Sequence, residues 1–133
     1  MPAPLTPGPR VDMTIKKILI VDDSPTERHV LNSLLTKAGY EVVSCDNGED
    51  AIAKSKLIRP DLILMDVVMP GLNGFQATRA ISRDAETKDI PIVLCTSKSQ
   101  ETDKIWGMRQ GARDYIVKPV NRDELIAKIT ALG

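Results

Sequence analysis

The sequence predicts a doubly wound α/β domain in which five parallel strands alternate with five helices. Three observations carry that reading. Five short β-rich runs recur along the chain, and segments with helical spacing of apolar residues separate them. The runs "ILIV", "LILM" and "IVLC" are continuously apolar rather than alternating. Unbroken apolar strands are covered on both faces, the condition of a parallel sheet between two helix layers. Parallel crossovers are right-handed and place helices on both faces of such a sheet.

The elements follow in order. "KILIV" (17–21) is the first strand and ends in Asp22 and Asp23. Ser24, Pro25 and Glu27 then read as N-cap, first helical residue and capping-box acid of the first helix. Its apolar stripe is Val30, Leu31, Leu34, Leu35 and Ala38, and Gly39 stops it. "EVVSC" (41–45) is the second strand, and "NGED" (47–50) opens the second helix. "LILM" (62–65) is the third strand; after the Pro/Gly-rich "MDVVMPGLNG" the third helix begins near Phe75. "PIVLC" (91–95) is the fourth strand, with a helix over roughly 100–110 ending at Gly111. "DYIV" (114–117) is the fifth. Asn121 and Glu124 repeat the capping box before a last helix with the stripe Leu125, Ile126, Ile129 and Leu132.

The 133 residues suit one domain with a real core. Lys plus Arg and Asp plus Glu number 18 each, so no net field draws the chain to nucleic acid or an anionic membrane. Cys45 and Cys95 lie in apolar runs without metal-type spacing and read as buried thiols of a reducing cytoplasm. No apolar run approaches the ~18 residues of a membrane span, and no signal-peptide pattern is visible, so a cytoplasmic protein without membrane insertion is expected. The segment "MPAPLTPGPRVDM" has four prolines in its first nine residues. It reads as a disordered extension (1–13) ahead of a domain at 14–133, with Met13 as an alternative start. His29 reads as a solvated helix residue.

In open α/β sheets the functional crevice lies beyond the carboxyl ends of the strands. Strand one ends in Asp22 and Asp23, strand three in Asp66, strand four in Thr96 and strand five in Lys118. Singly, each has an ordinary reading as a turn acid, a strand-end hydroxyl or a surface lysine. Together they converge three carboxylates, a hydroxyl and an ammonium on the one edge where sites occur. Two carboxylates ~4 Å apart repel by about 4 kcal/mol at an effective dielectric near 20. One lysine is insufficient compensation, and a small hard dication is the natural complement. Mg²⁺ is expected on Asp23 and Asp66, with Asp22 acting directly or through water and a backbone carbonyl just after Asp66. A dication, a lysine and a hydroxyl without an obvious general base suit phosphoryl transfer, which needs charge neutralisation more than proton abstraction. Aspartate can itself be the nucleophile, and Asp66, at the lip of the central strand, is the candidate.

"VDDS" (21–24), "MDVVMPGLNG" (65–74), "CTSK" (95–98) and "DYIVKP" (114–119) together resemble the response regulator receiver domains, with the CheY fold. The resemblance covers residues 16–132. It implies a flavodoxin-like (βα)5 sheet of strand order 2-1-3-4-5. It further implies that Asp66 takes a phosphoryl group from a histidine kinase of the CheA-like kind. Asp22, Asp23, Asp66 and the Val68 carbonyl would hold Mg²⁺. Thr96 would be the switch hydroxyl, and Lys118, before a cis bond to Pro119, would pair with the phosphoryl group. Tyr115 sits at the switch aromatic, a position that residues alone would read as a half-buried strand tyrosine. The helix 4, strand 5, helix 5 face, near Trp106 and Tyr115, would dock an unidentified downstream protein, although Trp106 also reads as a core residue. Within the family, "DDSPTE", "DAETKDIPIV" and "QETDKIWGMRQGARDYIVKPV" are similar to the PilH-type regulators of type IV pilus, chemotaxis-like systems.

The resemblance implies a signalling protein that catalyses only its own phosphorylation and dephosphorylation, monomeric or weakly dimeric. It leaves open an effector, a phosphate sink for a shared kinase and a phosphorylation-independent adaptor. A flavin-phosphate binder would want free amides after strand one, where "DDSPTE" offers acids and a proline. A hydrolase with an aspartate nucleophile would want two acids two residues apart near strand one, a spacing "DDSP" lacks.

Overall fold

The computed structural model describes residues 15–133. The proposed extension at 1–13 lies outside them. The elements run β1 (Lys17–Val21), α1 (Pro25–Lys37), β2 (Glu41–Cys45), α2 (Gly48–Ile58), β3 (Leu62–Met65), α3 (Gly74–Arg83), β4 (Ile92–Thr96), α4 (Glu101–Arg109), β5 (Asp114–Val117) and α5 (Arg122–Leu132). All strands pair in parallel, in the order β2-β1-β3-β4-β5. The expected topology is therefore the observed one.

The apolar strands explain why the sheet lies in the middle. Ile18, Leu19, Ile20, Leu62, Ile63, Ile92 and Leu94 have no exposed surface. Successive residues point to opposite faces, so β1, β3 and β4 feed two cores. On one face Leu19, Val21, Ile63, Met65, Ile92 and Leu94 meet Ala51 of α2, Ala77 and Ile81 of α3, and Tyr115. On the other, Ile18, Ile20, Leu62, Leu64, Val93 and Cys95 meet Leu31 and Leu35 of α1 and Leu125 and Ile129 of α5. Each fully buried Leu or Ile contributes about 1.5–3 kcal/mol, which outweighs any single helix-end effect. Cys45 and Cys95 are free and buried, and burial raises their thiols to about 11 and about 12.

Local differences from the sequence reading have local causes. β4 begins at Ile92 rather than Pro91, whose carbonyl accepts from Ile63 N–H at 3.0 Å. Thr96 thus belongs to the strand. Val30, assigned to the stripe of α1, is 49% exposed, while Leu31 and Leu35 fill the interface. Ser24 caps α1 by accepting from Glu27 N–H at 3.2 Å, yet the return half of a capping box does not form. The Ser24 N–H donates to Asp22 Oδ1 at 2.9 Å instead. At α5 the Asn121 side chain accepts from Glu124 N–H at 2.9 Å. The complete box is at α3, where Asn73 and Gln76 exchange two bonds of 2.9 Å.

Candidate functional site

Hydrogen bonds that continue past the strand ends carry the site residues into register. Asp22 N–H donates to Cys45 O at 3.2 Å, Asp66 N–H to Val21 O at 2.9 Å and Lys118 N–H to Thr96 O at 2.8 Å. The ends of β1, β3, β4 and β5 are thereby fixed side by side. Asp22, Asp23 and Asp66 each present a carboxylate oxygen within 4.8 Å of the others. Asp22 and Asp66 are buried and Asp23 is exposed. Thr96 is fully buried, with its hydroxyl accepting from Lys98 N–H at 3.3 Å.

Lys118 reaches into this group. Its Nζ lies 2.7 Å from Asp22 Oδ2 and 3.7 Å from Asp66 Oδ2. The Lys118–Pro119 bond is cis. Partial burial works against the Lys118 ammonium, but the Asp22 hydrogen bond and the charge of Asp66 outweigh it and leave its pKa raised. Asp66 is pushed above the usual carboxylate range, chiefly by burial and secondarily by the charge of Asp22. Lys118, the Val67 N–H and the Thr96 hydroxyl oppose that shift without cancelling it. Three hard oxygen donors, one held above its ordinary pKa, fit a small divalent cation. Val68 is 56% exposed at the rim, where its backbone carbonyl is the group a cation could use.

Tyr115 is turned inward. It is 8% exposed, and its hydroxyl donates to Lys98 O at 2.8 Å. Burial raises this phenol to about 12. Tyr115 therefore adds no surface to the expected partner face in this state. Trp106 does, at 49% exposure, together with Ile105 and Met108 on α4. Gly107 is the buried residue of α4, and a Cβ there would lie 2.5 Å from Leu94 Cδ1. The helix thus sits directly on the sheet at Gly107 and leaves its larger apolar residues outside. His29 is exposed on α1, as expected.

Two neighbours of the site were not legible as such. Glu27 Oε1 lies 3.6 Å from Lys118 Nζ, although its place in α1 reads as a cap. Arg28 Nη1 donates to Asp22 O at 2.7 Å, bracing the acidic turn. No motif marks either residue, because each contact depends on a neighbour brought by folding or by the turn.

Residues 18–130 match the response regulator receiver domain family. The chain belongs to that family. This receiver domain is 55% identical over 116 residues to Protein PilH of Pseudomonas aeruginosa, covering 87% of this chain and 96% of that protein. It is 42% identical over 120 residues to the phosphate regulon transcriptional regulatory protein PhoB of the same species, covering 90% of this chain and 52% of PhoB. Among solved structures, the chemotaxis protein CheY4 of Vibrio cholerae superposes with a TM-score of 0.84 at 33% identity, covering 90% of this chain and 100% of that one. The receiver domain of the sensor histidine kinase PA1611 from P. aeruginosa, solved with a magnesium ion in its active-site cleft, superposes with a TM-score of 0.82 at 31% identity. It covers 90% of this chain and 98% of that one. Among the described residues, no helix of this receiver domain is long and apolar enough to cross a membrane.

The raised Asp66 pKa has a stability consequence. An acid whose folded pKa exceeds its unfolded value contributes stability below the unfolded pKa and loses it as pH rises through the folded pKa. In a chelating buffer, Asp66→Asn is therefore expected to raise Tm at pH 7. The gain should vanish as the pH falls toward the unfolded carboxylate range. Saturating Mg²⁺ should reverse it, because the cation binds the folded wild type. Thermal unfolding across pH, with and without chelator, checks all three.

Proposed function

We propose that this receiver domain takes a phosphoryl group from a histidine kinase of the CheA-like kind onto Asp66 and passes the signal on by docking. The observation that supports this is the convergence of Asp22, Asp23 and Asp66 within 4.8 Å, with Lys118 reaching Asp22 and Asp66. An Asp66 carboxylate oxygen attacks the phosphorus of the donor phosphohistidine in line with the departing nitrogen. An O–P bond forms, the P–N bond breaks, and its electron pair returns to the imidazole. Asp22, Asp23, Asp66 and the Val68 carbonyl would hold Mg²⁺, which supplies charge neutralisation for the phosphoryl oxygens. Lys118 releases its ion pairs to meet one phosphoryl oxygen, and the Thr96 hydroxyl turns to donate to another.

The chain is in this reading not an enzyme acting on a separate substrate; it promotes its own phosphorylation and dephosphorylation. Contacts of Thr96 and Lys118 with the phosphoryl group bias a two-state equilibrium toward the inward Tyr115. The α4–β5–α5 face, where Ile105, Trp106 and Met108 are exposed, then receives the partner. The 55% identity to PilH supports a role in type IV pilus motility, in the cytoplasm. Transfer of labelled phosphate from the phosphorylated histidine domain of a CheA-like kinase tests the acceptor role, and no transfer would overturn it. Restoration of twitching in P. aeruginosa lacking PilH tests the motility role. An Asp66→Ala chain that restores twitching equally well would favour the phosphorylation-independent adaptor.

Position 68 should set the phosphate lifetime. Val68 offers no polar group to orient an attacking water. Val68→Asn is expected to speed loss of the phosphoryl group by roughly tenfold, below the ~100-fold or more of a full general acid or base because an amide orients the water without taking its proton. The decay rate of labelled protein after donor removal reads this out, and unchanged decay would refute it.

A further inference from the structure

Lys118 meets a third carboxylate that acceptor chemistry does not require. Glu27 Oε1 lies 3.6 Å from Lys118 Nζ, as near as Asp66 Oδ2 at 3.7 Å. Glu27 is the third residue of α1, where a glutamate ordinarily reaches back to the N–H of the cap residue. Here that N–H donates to Asp22 Oδ1 at 2.9 Å. The Glu27 carboxylate turns over the crevice instead. Its side chain is 41% exposed and that of Lys118 is 13%, so the contact joins a solvent-facing acid to a largely covered lysine.

The charge balance gives this contact a consequence. Asp22, Asp66 and Glu27 lie 2.7, 3.7 and 3.6 Å from one ammonium, Asp23 adds a further charge to the cluster, and a bound dication still leaves the group net negative. An incoming phosphoryl group is itself anionic and needs the same ammonium. Resting on the acceptor reading above, we infer that Glu27 is a positioning residue that holds Lys118 at the crevice mouth. It strengthens the cation site and disfavours small anionic phosphoryl donors by competing with their oxygens for Lys118. A protein donor brings its own compensating groups and is less affected. Glu27 thus sets donor specificity without touching the reacting atoms.

The test compares wild type, Glu27→Gln and Glu27→Asp with acetyl phosphate at saturating Mg²⁺. Glu27→Gln is expected to lower the acetyl phosphate concentration for half-maximal rate about threefold at low ionic strength, as loss of one partly exposed ion pair to Lys118 would. The maximal rate should not change. In about 1 M salt, where screening acts within roughly 3 Å, the difference should disappear. Glu27→Asp keeps the charge but is too short to hold Lys118, and should behave as Glu27→Gln. Calorimetry should show the Mg²⁺ Kd of Glu27→Gln raised about twofold, a readout independent of phosphoryl transfer. Unchanged half-saturation and unchanged Kd would overturn the inference, as would Glu27→Asp behaving like wild type. Lower thermal stability with both constants unchanged would make Glu27 a helix-end residue only, with the same result. If wild type took no phosphate at all, the acceptor reading would fail, and calorimetry alone would decide the hold of Glu27 on the site.

Discussion

Asp66→Ala is expected to abolish the gain of one phosphoryl group that wild type shows with acetyl phosphate and Mg²⁺. Intact mass, measured with and without Mg²⁺, is the readout. The expectation is categorical because no neighbouring group can substitute. Asp22 is 2% exposed and spends its oxygens on Lys118 Nζ at 2.7 Å and Ser24 N–H at 2.9 Å. Asp23 is exposed, and it is Asp66 Oδ1 that accepts the Val67 N–H at 2.8 Å. Asp66 alone stands at the end of the central strand with Lys118, the Val67 N–H and the Thr96 hydroxyl all favouring its charge. The fold should survive the change, since removing the carboxylate relieves a buried, disfavoured charge. A phosphoryl gain persisting in Asp66→Ala would move the acceptor elsewhere. Absence of any gain in wild type would favour a phosphorylation-independent adaptor.

Gly74→Ala is expected to be the most damaging single-methyl change near the site. Gly74 opens α3 and donates its N–H to Val67 O at 2.9 Å, which folds the loop after Asp66 back on itself. A Cβ at this position would overlap the Asp66 carbonyl oxygen and lie 2.7 Å from Val67 Cα. Both are backbone atoms of the site-bearing turn and cannot rotate aside. Overpacking against fixed atoms costs about 3 kcal/mol, which in a domain of this size lowers Tm by roughly 10 °C. Gly39→Ala is the control. Gly39 has φ +100 but nothing within 4 Å of a new Cβ, so only backbone strain of about 1 kcal/mol is expected. In Gly74→Ala, phosphorylation should also slow by roughly tenfold or more, because the Asp66 backbone must shift. Equal Tm values for the two variants would show that the turn yields more easily than its packing suggests.

Much of this was readable from residues alone. The runs 17–21, 41–45, 62–65 and 114–117 are strands with the expected limits, and in 17–21 and 62–65 the continuous apolar patterning reports burial directly. Asp22, Asp23, Asp66, Thr96 and Lys118 were assigned to strand ends by position alone, and folding brings those ends to one edge. Where the reading slipped, a competing contact won. Glu27 was taken as half of a capping box, a local pattern, but Asp22 occupies the cap N–H. Val30 was counted in the apolar stripe of α1, but Leu31 and Leu35 fill the interface with Leu34 packed beside them, and Val30 stays exposed.

The sequence by itself determined the alternation of strands and helices and the five-residue constellation at the strand ends. Those depend on residue type, period and chain order, which are local quantities. Only the tertiary structure decided where the long side chains point. Lys118 and Asp22, 96 residues apart, form a 2.7 Å contact. Tyr115 faces inward because Gly107 lets α4 close over it and the Lys98 carbonyl accepts its hydroxyl. Trp106 is left outside because α4 meets the sheet at Gly107. Such orientations follow from charges and cavities assembled from distant segments, whose positions no local pattern contains.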